Sequence, residues 1–325
     1  MTDQGERPEL PPLAFRAATE EDIPRCAEVW RTATNHYITA LNQPELPDDL
    51  SIIAKLYVHL RATDPERFVV AAAADPDGAG AERVVAFAVA LQRDHVWFLS
   101  MLFVLPDVQL RGVGRELLRR VLPNNGAITV RATATDSAQP ISNALYSTYG
   151  IVPRMPLFAL IGLPSNLDSF EPLPSGVTPV AFASIVDGDS DGHRRLATSV
   201  DALDRELLGF TRSVDHSFMR EQDRRGWLFL GPGGGALGYG YSSPSGRLGP
   251  ILVRDPLLLG PALGHLLGAV EPRGAFLTWI PGAADRALLP ALAAGLRLDP
   301  FPILLCWDRP PTDFERYLPV SPGML

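Results

Sequence analysis

The order of predicted strands and helices is the same in the two halves of the chain, and this repeat limits the possible folds more than any other feature. Each half contains three strands, a helix, a strand, a second helix and a last strand. Apolar residues also agree at one constant offset; the matching pairs are Val104 and Val253, Leu110 and Leu259, Leu117 and Leu266, and Leu118 and Leu267. Strands that alternate with helices predict an α/β fold, and the repeat predicts two copies of one domain.

The length of 325 residues fits two domains of ordinary size. We expect a first domain over residues 1–163, a linker rich in Pro, Ser and acidic residues over 164–176, and a second domain over 177–325. The first helix is expected to be capped by Thr19 and to reach Trp30. The other helices are predicted over 50–60, 113–122, 141–149, 192–222, 258–270 and 285–294. Strands are predicted over 68–74, 84–91, 96–105, 127–132, 157–162, 226–230, 236–241, 248–253, 275–280 and 303–307, with a turn over 75–81.

Composition and charge exclude several classes of protein. The net charge of −8 argues against a general nucleic-acid binder. No stretch approaches 18 consecutive apolar residues, which argues against a membrane span. Residues 1–12 lack the order of a signal peptide, so we expect a cytoplasmic protein. Cys26 and Cys306 fit neither a disulfide framework nor a metal site, and they are interpreted as two buried thiols.

The segment with the clearest chemical meaning joins an apolar strand to a helix that begins at two glycines, Gly112 and Gly114. The first N–H groups of a helix have no partner within the helix, and together with the helix dipole they favour an anion. Glycines leave room for a phosphate to approach these groups, and Arg111 and Arg115 could pair with its oxygens. Close packing at a helix start is the alternative reason for the glycines, and Gly-x-Gly alone does not decide between the two.

The wider pattern favours a phosphate site. Gln109-x-x-Gly112-x-Gly114 follows a strand that ends in Val-x-Pro, and it resembles the acetyl-coenzyme A motif of the GNAT acetyltransferase superfamily. A Walker loop is excluded because no Gly-Lys-Ser/Thr follows, and a dinucleotide fingerprint because Leu117 occupies the third glycine position. The resemblance, which covers most of residues 14–163, implies that the strand holds the pantetheine arm and the loop amides hold the pyrophosphate. It assigns these roles to Leu102, Phe103, Val104, Gln109, Leu110, Arg111, Gly112, Val113, Gly114 and Arg115.

A second segment, residues 139–151, resembles the later helix of the same family, in which Leu-Tyr-x-x-x-Gly closes the site. The resemblance implies that Tyr146 is the general acid, because a phenol near the sulfur can protonate the departing coenzyme A thiolate. It also implies that Gln139 and Ser142 contact the cofactor, although the family often has asparagine at the position of Gln139. A half-buried helix tyrosine is the alternative interpretation of Tyr146.

No general base is assigned. Residues 97–101 read Trp-Phe-Leu-Ser-Met where some family members carry a glutamate. The remaining candidates are Asp94, His95, His36 and Tyr37, each of which is more often a solvated loop residue. A water chain to bulk solvent is another route for the amine proton. A backbone amide near Val104 is expected to stabilise the oxyanion of the tetrahedral intermediate.

The second copy lacks the residues that carry this chemistry. A proline supplies no N–H, and a leucine at the second glycine position would crowd a phosphate. The second half is therefore predicted to be a degenerate GNAT-like domain. In the alignment of the two copies, Gln109 falls on Leu258, Arg111 on Gly260, Gly112 on Pro261, Gly114 on Leu263 and Tyr146 on Ala291.

Two further segments of the second half have a structural and a functional interpretation. Residues 233–235 are three glycines between two predicted strands, which indicates a hairpin rather than a nucleotide loop. Asp204, Leu208 and Arg212 would share one helical face, which either presents charges toward an acceptor or is solvated.

The resemblance implies an α/β (α+β) protein of two tandem GNAT-like domains, each a mixed, mostly antiparallel sheet flanked by helices. The expected reaction is direct acetyl transfer from acetyl-CoA to a primary amine of a small molecule or peptide, with no metal and no nucleic-acid or membrane partner. The alternatives are a non-catalytic acyl-CoA-binding regulatory or scaffolding protein and a transferase of longer acyl chains. The second domain is expected to shape the acceptor cleft or a homodimer interface.

Overall fold

The computed structural model of the chain describes residues 12–74, 82–124, 126–186 and 190–325. The chain divides into two compact units. Unit 1 comprises residues 1–92 and 99–125, and unit 2 comprises residues 93–98 and 126–325. The domain bounds expected from the sequence differ from these and remain a prediction. Residues 1–11 and the turn expected over 75–81 lie outside the described residues.

The described elements repeat in the predicted order, and the mixed fold class is confirmed. The helices are α1 (Ile23–Ile38), α2 (Ser51–Thr63), α3 (Val113–Val121), α4 (Pro140–Ser147), α5 (Phe182–Val186), α6 (Ser190–Leu207), α7 (Ser213–Glu221), α8 (Leu259–Ala269) and α9 (Asp285–Ala293). The strands are β1 (Leu13–Ala17), β2 (Phe68–Ala74), β3 (Glu82–Arg93), β4 (Val96–Val104), β5 (Val130–Asp136), β6 (Val152–Gly162), β7 (Thr178–Ala181), β8 (Arg225–Leu230), β9 (Ala236–Ser242), β10 (Arg247–Val253), β11 (Phe276–Pro281), β12 (Arg297–Leu298), β13 (Ile303–Trp307) and β14 (Tyr317–Leu318). We call β2 to β6 the first copy and β8 to β13 the second copy.

Unit 1 is built on an antiparallel sheet in which β2 lies between β1 and β3, and β3 is the neighbour of β4. All of β2 except its last residue is buried, and α3 packs against it. The rings of Tyr57, Phe68 and Phe87 contact one another in the core. Since α3 follows β4 in the chain, this packing positions the turn between them.

The first helix begins later than predicted. Asp22 precedes its first residue, Ile23, and the Asp22 carboxylate accepts from the Thr19 N–H at 2.8 Å and from Arg16 at 2.6 Å. Thr19 therefore closes a turn on Asp22 and does not cap the helix, so that prediction is wrong. The helix also extends beyond Trp30 to Ile38, and His36 and Tyr37 lie within it rather than after it.

Unit 2 contains a sheet in the order β5-β13-β6-β11-β10-β9-β8-β7, with β14 paired to β10 and β12 to β6. The strands are antiparallel to their neighbours except for β10 and β11, which pair in parallel over only two rows beginning at Arg247 and Leu277. The strand β13, which ends the second copy, lies between β5 and β6 of the first copy. The two copies therefore share one sheet at this place.

The core of unit 2 joins α8 and α9 to the sheet, with Leu263, Leu266 and Phe276 fully buried. Phe170, within the predicted linker 164–176, also belongs to this core. A Cβ on Gly264 would lie 2.6 Å from the Cβ of Phe170, so the aromatic side chain packs directly on α8. This part of the predicted linker is therefore held by the core.

The helical region predicted over 192–222 is two helices, α6 and α7. Gly209 adopts a φ of +83°, and its N–H donates to the Asp204 carbonyl, which ends α6 in the left-handed conformation that favours glycine. The strand predicted over 127–132 instead begins at Val130 as β5. β1, β7, β12 and β14 were not predicted. The glycine hairpin is confirmed, because Gly231 N–H donates to the Gly235 carbonyl between β8 and β9.

Both cysteines are free and buried, as predicted. Among the described residues, no helix is long and apolar enough to span a membrane.

Candidate functional site

The turn between β4 and α3 presents uncapped backbone N–H groups. After β4, residues 106–108 form a 3-10 turn, and α3 begins at Val113 with Gly112 as its N-cap residue. As in any helix, the first N–H groups, here those of Val113, Gly114 and Arg115, have no partner within the helix. No side chain caps them either. The arrangement offers three donors and the positive end of a helix dipole to an anion.

The backbone of this turn has two left-handed residues. Gly112 has a φ of +82°, and no atom lies within 4 Å of the place where its Cβ would be. Leu110 has a φ of +64°, which is unfavourable for a residue with a side chain, and 69% of its surface is exposed. Strained backbone and an exposed leucine are costly without a ligand, and such residues cluster at ligand-binding loops.

Gln109 fixes the turn to the end of β4. Its Nε2 donates to the Val104 carbonyl at 2.9 Å, which makes Gln109 a positioning residue in this structure. Leu102, Phe103 and Val104 are partly exposed, in contrast to the buried first five residues of β4. Phe103 stacks on Phe87 with ring centroids 5.9 Å apart.

The charges around the turn favour an anion. Arg115 is exposed and has no ion pair or hydrogen bond within the described residues. Glu116, the one acid in the first turn of α3, pairs with Arg119 at 2.8 Å and with Arg120 at 2.8 Å. The hydrogen bond from Arg119, aided by Arg120, lowers the pKa of Glu116 to about 2. Its negative charge is therefore balanced by two arginines.

The helix α4 carries the other predicted residues, all in unit 2. Gln139 is its N-cap residue but makes no side-chain cap. Tyr146 is 4% exposed, and burial raises the pKa of its phenol well above the usual 10, although a hydrogen bond with Ser142 opposes the shift. The phenol therefore keeps its proton throughout the physiological range.

Sequence reasoning missed Asn143, one helical turn after Gln139. Its Nδ2 donates to the carbonyls of Gln139 at 2.8 Å and Asp136 at 3.1 Å. Its Oδ1 is buried and has no hydrogen-bond partner within the described residues. An unsatisfied buried acceptor calls for a donor, and an amide N–H of a ligand is such a donor. The spacing Gln-x-x-x-Asn on the predicted helix was the available signal.

The predicted base residues are not brought together as a site. Asp94 Oδ2 accepts from the Thr211 N–H at 2.7 Å and from its hydroxyl at 3.1 Å, so this carboxylate caps a backbone segment of unit 2. His36 and Tyr37 lie on α1 in unit 1, and His95 lies in unit 2. As predicted, β4 has no carboxylate. The structure thus leaves the base unassigned.

The corresponding helix start in the second copy is closed. Residues 256–258 form a 3-10 turn that runs directly into α8 at Leu259, without the loop that holds residues 109–112 in the first copy. Gly260 and Pro261 are buried, and a Cβ on Gly260 would lie 2.5 Å from the Arg286 carbonyl. Ala291, the counterpart of Tyr146, is fully buried. These observations agree with a degenerate second copy that has the fold but lacks the open helix start of the first.

The strand β10 of the second copy is covered by a later segment of the chain. Ile251 and Leu252 pair with Leu318 and Tyr317 of β14, and the Val253 N–H donates to the Arg316 carbonyl at 3.1 Å. Both residues of β14 are fully buried. The main-chain groups of β10 are thus already bonded at the place where it diverges from β11.

Asp204 and Arg212 form a buried polar cluster. They do not share a helix face, either one that presents charges to an acceptor or one exposed to solvent, so both interpretations from the sequence are wrong. The helix ends between them, and their side chains are fully buried and paired at 3.3 Å. Arg212 also donates to the hydroxyls of Tyr317 at 2.5 Å and Tyr239 at 2.6 Å. His216 Nε2 lies 2.9 Å from Asp204, which completes the cluster. Because its polar atoms bond to one another, this cluster stabilises the fold.

A comparison with protein families agrees with the glycine turn. Residues 29–151 match the sequence model of the acetyltransferase (GNAT) family. This segment of the chain is similar to a GNAT acetyltransferase domain. The matched segment includes the turn at residues 109–115 and Tyr146, and enzymes of this family use acetyl-CoA and act in general on amine acceptors. A sequence search among curated proteins finds no match.

Solved GNAT structures resemble the whole chain. A candidate acetyltransferase from Pyrococcus horikoshii is 15% identical, with full coverage of both chains and a TM-score of 0.70. A GCN5-related N-acetyltransferase from Sphaerobacter thermophilus is 16% identical over 95% of this chain and 100% of its own, with a TM-score of 0.60. A tandem GNAT protein from the clavulanic acid biosynthesis pathway is 14% identical over 92% of this chain and 99% of its own, with a TM-score of 0.55. At these identities the likeness establishes the fold, which includes the tandem arrangement.

No metal site accompanies this fold among the described residues. Within residues 12–74, 82–124, 126–186 and 190–325, no three His, Cys, Asp or Glu side chains are grouped to hold an ion.

Proposed function

We propose that this chain is an N-acetyltransferase that moves acetyl from acetyl-CoA to a primary amine of a small molecule or peptide. The uncapped, glycine-bounded start of α3 carries the proposal, because it supplies backbone donors for the pyrophosphate. Open space at Gly112 also fits the close approach of a phosphate group. Leu102, Phe103 and Val104 would contact the pantetheine arm, as the family resemblance implies.

The proposed reaction is a direct transfer. The amine nitrogen attacks the thioester carbonyl carbon and forms the C–N bond, and the C–S bond then breaks. The departing thiolate takes a proton from Tyr146, and the amine loses its proton to water. A backbone N–H near Val104 would stabilise the oxyanion between these steps. No covalent enzyme intermediate is needed.

The environment of Tyr146 suits a group that is protonated when the thiolate leaves. Burial raises the pKa of its phenol, so the acid form is the one present near neutral pH. Solvent can restore the proton through the Ser142 hydroxyl, its hydrogen-bond partner.

The test is release of free thiol from acetyl-CoA in the presence of a panel of primary amines, with product mass measured for each. Acceptor-dependent release and a mass increase of one acetyl group on the amine would support the proposal. Acetyl-CoA binding by calorimetry with no acceptor-dependent release across small-molecule and peptide amines would contradict it.

A non-catalytic acyl-CoA-binding protein is the second candidate. It is favoured by one observation, the lack of a carboxylate on β4, where a base would serve the acceptor. Tight, saturable binding of acetyl-CoA without turnover would select this function. The domain bounds at 163 and 177 and a homodimer remain predictions of the sequence.

A further inference from the structure

Two arginines of unit 2 lie on one face of the sheet, beside Ser243. Continuing the register of β8 with β9 and of β9 with β10 by one residue places Arg224 and Arg247 on either side of Ser243. Residues that lie opposite one another on antiparallel strands share a face. Two hydrogen bonds of 3.1 Å join the Ser243 hydroxyl to the Arg247 main chain, which fixes this row at the tip of the hairpin.

The Arg224 side chain reaches the strand that carries Arg247. The Arg224 side chain crosses β9, and its Nη1 donates to the Gly249 carbonyl on β10. Gly249 is only two residues from Arg247 in the same strand. Arg224 is therefore anchored by a neutral acceptor, two residues from a second arginine in the same strand.

Neither arginine has a negative partner within the described residues. Arg224 bonds only to the Gly249 carbonyl there, and the side chain of Arg247 makes no hydrogen bond or ion pair. Both are partly buried. Burial, together with the charge of Arg247, lowers the pKa of Arg224 to about 10, and burial lowers that of Arg247.

Two partly buried cations without a counter-charge destabilise a fold, because each loses hydration and each repels the other. An anion between them reverses both effects, and the planar fork of Arg247 can hold two oxygens at once. We propose that Arg224 and Arg247 form a binding site for an oxyanion, that is, a phosphate or carboxylate group of a ligand. The remaining exposure of both side chains gives such a group access from solvent.

The test measures the melting temperature of the full chain against inorganic phosphate, and separately against acetate, with ionic strength held constant by sodium chloride. The wild type is expected to gain stability in a saturable manner with at least one of the two anions. Arg247→Met is expected to raise the half-maximal anion concentration about tenfold or more. The same variant should melt at a higher temperature than wild type without anion, because an unpaired cation is replaced by an apolar chain.

Two controls separate this site from others. Arg225→Met removes the adjacent, exposed arginine, and Gly114→Leu removes the proposed pyrophosphate turn; both should keep the anion response. The proposal is overturned if chloride matches both anions in wild type, if Arg247→Met responds as wild type does, or if Gly114→Leu abolishes the response. Because Gly114→Leu tests the acetyltransferase proposal separately, failure of one proposal leaves the other standing.

Discussion

The starts of α3 and α8 differ although both copies have the same fold, and the difference bears on the proposed anion site. Both helices follow a strand and a 3-10 turn. In the first copy, a loop with left-handed Leu110 and Gly112 leads to an uncapped helix start. In the second copy the helix begins at once, and its first residues are buried. The proposed anion site therefore depends on a few loop residues and not on the apolar core that both copies share.

The strands β4 and β10, which precede these two helices, differ in how far they are exposed. The last residues of β4 are partly exposed, whereas β10 pairs with β14 and is buried. The main-chain groups of β10 that pair with β14 are not available to a pantetheine arm. The second copy is thus closed by a segment of its own chain, in addition to the lost glycines.

The largest expected effect tests whether the buried polar cluster around Asp204 and Arg212 in unit 2 is purely structural. Asp204→Ala leaves Arg212 buried without its carboxylate, so the free energy of unfolding should fall by about 3–5 kcal/mol. Chemical denaturation measures this change. Arg205→Ala, an exposed neighbour on α6, is the control and should change little. Acetyl-CoA affinity in the folded Asp204→Ala protein should equal that of wild type, and a large loss would contradict a purely structural role.

The next effect places a residue of the second copy in the first. Gly114→Leu introduces the side chain found at Leu263 and should weaken acetyl-CoA binding about 100-fold, or about 3 kcal/mol. Calorimetry measures the Kd. Gly233→Leu, at an open hairpin position, is the matched glycine control. Unchanged affinity in Gly114→Leu would show that the coenzyme binds elsewhere.

An effect of similar size is expected on turnover. Tyr146→Phe removes the proposed proton donor and should lower kcat about 100-fold with the acetyl-CoA Kd unchanged. The rate is measured from pH 6 to 9 with the best acceptor of the amine panel. Tyr149→Phe on the following turn should behave as wild type. An unchanged rate for Tyr146→Phe across this range would exclude the phenol as the acid.

The smallest effect concerns the pH dependence of stability and the buried polar cluster of unit 2. Burial lowers the pKa of His216 below its usual 6.5, although Asp204 opposes the shift. The unfolded chain then binds a proton first as pH falls, so the folded state loses stability below about pH 6.5. Melting temperatures from pH 7.5 to 5.5 should decline less steeply in His216→Gln than in wild type. His36→Gln, an exposed position, should keep the wild-type slope.

Local patterns predicted most elements, since apolar periodicity and glycines act over a few residues. Strand β13 was predicted with its observed bounds, yet nothing in residues 303–307 shows that they lie between β5 and β6. Pairing between distant strands depends on the whole chain. The break at Gly209 was a local signal that was not used, because the apolar pattern continued beyond it.

The candidate site was predicted where sequence and resemblance agree, at residues 109–115 and Tyr146. The burial of Tyr146 and the unsatisfied Oδ1 of Asn143 depend on packing that a sequence does not display. Asp204 and Arg212 show the opposite case. Their spacing suggested a helix face, whereas a loop brings them together in the interior.

The position of β13 has a consequence for biosynthesis. While the ribosome is still making residues before 303, β5 and β6 each lack the neighbour that separates them in the finished sheet. Unpaired strand edges invite non-native association. After β6 has been synthesised, the edges of β5 and β6 that pair with β13 therefore stay without this partner for more than a hundred further codons. We expect the nascent chain to depend most on chaperones during this period.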